Sequence, residues 1–192
     1  MNRKKFITAS GLVAMAFFFP SQIRAMQKTP KKLLFKDDGQ IPNSKFPLLI
    51  YKNAFEERNS AEAEWLESRF LKNGWSNSWR NGIYSFHHYH STSHEVLGVY
   101  SGKALVHLGG EDGERVQIDA GDVIIIPAGV GHKNLKSENL GIVGAYPEGR
   151  SWDLLKGEPG ERPEADKNIA ALPIPKADPL LGESEGLIQL WV

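Results

Sequence analysis

The chain has 192 residues, a formal net charge of zero and no cysteine. That length suits one domain with a sizeable core and not comfortably two. The lack of cysteine excludes a disulfide framework, a thiolate metal site and a cysteine nucleophile, and 41% apolar with 24% charged residues is ordinary globular composition, without a basic surface for nucleic acid.

The first element in chain order is a leader. Arg3, Lys4 and Lys5 precede a mainly apolar run over residues 6–19, Pro20 breaks it, and Ala25 is a small residue suited to a cut. This pattern predicts a secretory signal peptide over residues 1–25 and a periplasmic or secreted protein. The apolar run is short for a membrane span; an uncleaved anchor is the competing reading. Ile23 is large for its place before the cut, and "RKKF" lacks paired arginines, so the Sec and Tat routes both stay open. Four of the 23 bases and no acid leave with the leader, so 19 bases face 23 acids and the mature net charge is −4. A mildly acidic exported chain suits neither nucleic acid nor an anionic membrane.

Residues 26–52, interrupted by Pro30, Pro42 and Pro47, read as an irregular arm laid on the domain. Residues 59–74 read as a helix, with Asn59 and Glu62 as a capping box, Trp65, Leu66 and Phe70 as the apolar face, and Gly74 as the stop. From Trp79 the period changes to two. Residues 83–90, 95–102, 104–110, 115–119, 122–127 and 139–147 are short candidate strands punctuated by glycine, which predicts an all-β sandwich or barrel over 79–147. Residues 148–180 are rich in proline and charge, an arm or lid, and "GLIQLWV" reads as one more strand.

Four of the six histidines crowd into "FHHYHSTSHE", residues 86–95. In a strand alternate residues share a face. Tyr84, Phe86, His88 and His90 then point one way, and Ile83, Ser85, His87 and Tyr89 the other. Alternation also admits only one of His94 and Glu95 to the inner face. "VIIIPAGVGH" adds His132 after an apolar strand and a turn. Imidazoles with a carboxylate suit one divalent transition metal, Mn, Fe, Ni, Cu or Zn, with positions left for a ligand. "HEVLG" is not H-E-x-x-H, and there is neither a G-x-S-x-G elbow nor a P-loop.

Gly82, His88-x-His90, Glu95 and Gly102 resemble the first cupin motif, and Gly121, Pro127-x-Gly129 and His132 resemble the second. The asparagine that closes the second motif is displaced: position 136 is lysine, and Asn134 sits two residues early. "HHYHSTSHEVLGVYSG", "PAGVGH" and "GAYPEG" are similar to small bacterial single-domain cupins of the YjlB type. The resemblance implies a double-stranded β-helix, an all-β jelly-roll barrel, with His88, His90, Glu95 and His132 around one metal inside it. Glu95 could instead support a histidine, and His94 could replace it. His107 reads as a surface or cavity-edge histidine.

Such a site leaves room for O₂ or a bidentate small molecule. A metal-dependent dioxygenase or isomerase acting on a small organic molecule is the first expectation. A non-catalytic metal- or small-ligand-binding protein is the second, and an assembly module stabilised by its metal the third. Tyr84 and Phe86 are the expected substrate walls, with Trp79, Tyr146 and Trp152 as further cavity candidates. Arg150 and Lys133 could meet an acidic substrate or simply be solvated. The arms could exchange between two copies as a homodimer or wrap their own barrel.

Overall fold

The computed structural model describes residues 29–55 and 60–192. The expected leader lies outside the described residues, as does Asn59 of the capping box. Among the described residues, seven strands form one antiparallel sheet: β1 (Lys31–Leu33), β2 (Leu48–Tyr51), β3 (Trp75–Asn81), β4 (Glu95–Leu108), β5 (Glu114–Asp119), β6 (Val123–Ile126) and β7 (His132–Pro147). Their order is β1-β2-β6-β4-β7-β3, with β5 paired to β4 as well. The described helices are α1 (Ser60–Lys72), α2 (Glu164–Ala171) and α3 (Leu187–Leu190). None of them is long and apolar enough to cross a membrane.

The expected arm supplies β1 and β2. The run "LLIY" of β2 lacks polar alternation because both of its faces are covered. Leu48 and Ile50 join Leu97, Val99, Ile124 and Ile126 in one cluster. Leu49 and Tyr51 join Val96, Val123 and Ile125 in another, on which α1 lays Leu66 and Phe70. Each such side chain removed from water is worth about 1.5–3 kcal/mol. Trp65, expected on that apolar face, is 40% exposed at its edge. Gly74 stops α1 as expected, at φ 80°.

The stretches 95–102 and 104–110, expected as two strands, are the single strand β4. Gly102 does not end it. Its φ is 67°, and a Cβ there would lie 2.2 Å from the Asn139 carbonyl oxygen, so only glycine fits. Register shifts against β7 lie on both sides of it. From Glu95 to Leu108 a flat strand would run roughly 40 Å. His132 pairs with Leu108, yet the Glu95 carboxylate reaches His132 at 3.4 Å. The sheet therefore curls back on itself, and the fold is the double-stranded β-helix barrel.

Two expectations are corrected. Residues 83–90 do not form a strand: His88 bridges His132 and Tyr89 bridges Leu155, each as an isolated pair. The segment is threaded between the start of β7 on one side and the C-terminal arm on the other, and neither neighbour runs alongside for longer. "GLIQLWV" is not a strand either, but contains α3. Its buried residues Leu187 and Trp191 are four apart, and the Trp191 N–H donates to the Leu187 carbonyl at 2.8 Å. The arm before α3 is anchored by buried Asp178, which accepts from Tyr51 Oη at 2.9 Å and from the Leu187 N–H at 2.9 Å.

Candidate metal centre

His88, His90 and His132 are buried, and one ring nitrogen of each lies within 4.8 Å of the others. His132 opens β7, and His88 exchanges both backbone hydrogen bonds with it. The Gly129 N–H donates to the His90 carbonyl at 2.9 Å, which fixes the other end of the H-x-H stretch against the second motif. Glu95 opens β4, paired with Ile126 of the inner cluster, so alternation sends its carboxylate inward. Its Oε2 is 3.6 Å from His90 Nε2 and 3.4 Å from His132 Nε2.

The other ring nitrogens determine what these atoms are. His88 Nδ1 meets the Phe86 carbonyl at 3.3 Å, His132 Nδ1 the Val130 carbonyl at 3.1 Å, and His90 Nδ1 the Asp153 carbonyl. A carbonyl only accepts, so each Nδ1 carries a proton, and in the neutral ring each Nε2 then presents a lone pair. Three lone pairs converge, and a carboxylate oxygen lies beside two of them, in a site whose side chains are almost wholly buried. Such a donor set repels itself unless a cation sits among it. Burial and the neighbouring His132 hold His88 far below the ordinary imidazole range, favouring the neutral ligand form. Burial opposes charge on His90, but the Glu95 carboxylate outweighs it and raises the ring. Burial likewise opposes charge on Glu95, and His90 and His132 more than offset it, so Glu95 is held below its ordinary value. The residues fit a divalent metal.

A supporting layer surrounds them. Tyr146 Oη donates to Glu95 Oε1 at 2.8 Å and accepts from Trp79 Nε1 at 2.8 Å. The Trp79 indole can lie there because its β3–β7 partner is Gly144, where a Cβ would come within 2.1 Å of the ring. Asp153 belongs to no motif of the sequence. Its carboxylate accepts from the Ser91 N–H at 2.7 Å, Ser91 Oγ at 2.5 Å and the Thr92 N–H at 3.2 Å, while its carbonyl holds His90. The only signal for it was an acid beside Trp152 in a proline-rich arm.

A cavity of about 430 Å³ opens on the four donor residues, walled by Trp79, Tyr84, Tyr146 and Trp152, with Asn77, Ser78 and Asn81 among the polar lining. Tyr84 is thus in the wall. Phe86 is not: it stacks on Tyr84 with centroids 5.0 Å apart and lies edge-on to His88. His94 faces the outer cluster, where its ring lies 4.9 Å from Trp191 and its Nδ1 accepts the Ala128 N–H at 2.9 Å. It does not join the centre. His87 and His107 meet each other elsewhere, with centroids 4.9 Å apart. Lys133 is paired with Glu111, and Arg150 with Glu148, away from the cavity. Arg80 lines the cavity but is held in a two-pronged pair by Glu67, at 2.7 Å for each bond.

A family profile described as a cupin domain matches residues 80–138. The protein YjlB of Bacillus subtilis is 41% identical over 169 residues, covering 87% of this chain and 99% of its own. Among solved structures, an acireductone dioxygenase from Bacillus anthracis with cadmium in its active centre aligns at 16% identity and TM-score 0.38, over 55% of this chain and 80% of that one. An oxalate decarboxylase of Bacillus subtilis aligns at 19% identity and TM-score 0.34, over 58% of this chain and 28% of that one. At these similarities neither structure speaks to the chemistry of this chain.

Proposed function

This chain belongs to the cupins of the YjlB type, and on that footing we propose that it is an exported metalloenzyme of oxygenase or isomerase type acting on a small organic molecule. The observation that carries the proposal is the set of three clustered imidazoles whose Nδ1 atoms are tied to carbonyls, with Glu95 beside His90 and His132, at the edge of an open cavity. His88, His90, His132 and Glu95 would hold a divalent transition metal. Bound there, the metal supplies Lewis acidity towards a carbonyl or hydroxyl oxygen, or a redox couple if it is iron or manganese.

The chain's own residues prepare the rest. Trp79, Tyr84 and Trp152 give a small ligand flat apolar walls, and Asn77, Ser78 and Asn81 offer hydrogen bonds at its polar edges. Tyr146 keeps its proton, because burial and the adjacent Glu95 raise its phenol above the ordinary value. It therefore serves as a fixed donor to Glu95 and orients that carboxylate. The test is O₂ uptake and isomerase turnover by metal-loaded protein beside His132→Ala. Turnover lost in the variant supports the enzyme, and no turnover across both assay classes counts against it.

A second reading, a non-catalytic metal- or small-ligand-binding cupin, is favoured by one feature. Beyond the four donor residues, the titratable groups on the cavity wall are Tyr84, Tyr146 and Arg80, and Arg80 is already paired with Glu67. Among the described residues, no free carboxylate, imidazole or amine besides the donor set waits there for a substrate proton. A small molecule carried through purification and found intact by mass spectrometry, without turnover, would favour this reading. Export is tested by N-terminal sequencing of the secreted or periplasmic protein, with a new terminus near Met26 expected.

A further inference from the structure

His87, His107 and Glu111 bring their donor atoms within 4.8 Å of one another on the far side of the barrel wall from the candidate centre. The register explains the placement. Leu108 points into the inner cluster beside its partner His132, so His107 and its partner Lys133 point outward. His87, next to His88, points outward with them. Glu111 follows on the turn after β4.

The second observation is His87 itself. Its side chain is only 9% exposed, and neither ring nitrogen has a hydrogen-bond partner among the described residues. A buried polar group left without a partner is destabilising, and native structures rarely keep one. Nε2 faces Glu111 Oε1 at 3.5 Å without hydrogen-bond geometry, and the ring faces His107. Donors around a four-coordinate zinc stand roughly 3.4 Å apart. Glu111 is 72% exposed, so an ion can enter from solvent and keep water as its remaining ligand.

We infer that His87, His107 and Glu111 form a second metal site, a two-histidine, one-carboxylate site for a divalent ion such as zinc. Its occupant pins the segment carrying His88 and His90 to β4 and to the β4–β5 turn. Lys133 competes with the ion, since its Nζ pairs with Glu111 Oε1 at 2.6 Å, and Arg115 is the other cation facing His107, across β5. Affinity is therefore set by a contest between an ammonium and a metal for one carboxylate.

Zinc titration of the full chain by calorimetry, with bound zinc counted after dialysis, tests this. The wild type takes two ions per chain. His90→Ala loses one and keeps the second. Glu111→Gln, at an exposed position that does not endanger folding, keeps the first and weakens the second by about tenfold or more. His107→Gln loses the second, and Lys133→Met tightens it. A wild type binding one zinc that vanishes in His90→Ala would overturn the inference. So would a second zinc indifferent to both Glu111→Gln and His107→Gln.

Discussion

Glu95 Oε2 stands 3.4 Å from His132 Nε2, although Glu95 opens β4 and His132 is paired with Leu108 at the other end of that strand. The contact exists because β4 bends through Gly102 and carries the sheet around into a barrel. It places a carboxylate beside two of the three clustered imidazoles, and the surrounding hydrogen bonds determine how firmly that set is held.

Tyr146→Phe is expected to weaken the centre without changing the donor set. The variant removes the hydrogen bond from Tyr146 Oη to Glu95 Oε1 and leaves Trp79 Nε1 without its acceptor. An unsatisfied buried group costs about 1–3 kcal/mol, and losing a support of this kind costs about 10–100-fold in metal affinity. Chelator competition and thermal melting measure the two. Unchanged affinity would show that Glu95 is not positioned by Tyr146.

Asp153→Asn is expected to loosen the turn at Ser91 and Thr92. The carboxylate accepts from two backbone N–H groups and from both hydroxyls, and an amide nitrogen cannot replace an accepting oxygen. A stability loss of about 1–3 kcal/mol by denaturant unfolding is expected, with weaker metal retention because the same residue's carbonyl holds His90. Retention equal to the wild type's would separate the turn from the centre.

His94 gives the expected pH dependence. Burial against Trp191 lowers its pKa to about 4; the Pro173 carbonyl opposes the shift and Arg150 adds to it. Unfolded, the ring titrates near 6.5. As pH falls, the unfolded chain takes up this proton first, so this contribution to stability is full above about pH 6.5 and declines towards pH 4. Between about pH 7 and pH 5 the wild type should lose about 2 kcal/mol more than His94→Gln in denaturant unfolding. Parallel losses would mean that His94 carries no such penalty.

The candidate centre was legible because two motifs fix its spacing. H-x-H places two imidazoles on one side of an extended chain, and the glycine–proline turn delivers His132. Alternation served even where no strand formed, since residues 88–90 are extended between two single bridges. It also left one choice, His94 or Glu95, which β4 resolves by pairing Glu95 with inward-facing Ile126. Asp153 and Trp152 were harder to place. They reach the centre across about 60 residues of chain, through an arm whose local sequence carries no period. The sequence of β2 looks like part of an irregular arm because a strand covered on both faces shows no alternation. The ending misled for a related reason: a short apolar run is ambiguous, and only the four-residue spacing of Leu187 and Trp191 marks it as helical.

The central claim is that His88, His90, His132 and Glu95 hold a divalent transition metal, and elemental analysis by mass spectrometry tests it most directly. The protein is purified without chelator or affinity nickel, beside His88→Ala, His132→Ala and Glu111→Gln. The account predicts a full metal equivalent that both histidine variants lose and Glu111→Gln keeps, with the element identifying which turnover assay applies. Metal content equal in the wild type and both histidine variants, or none even after reloading, would contradict it.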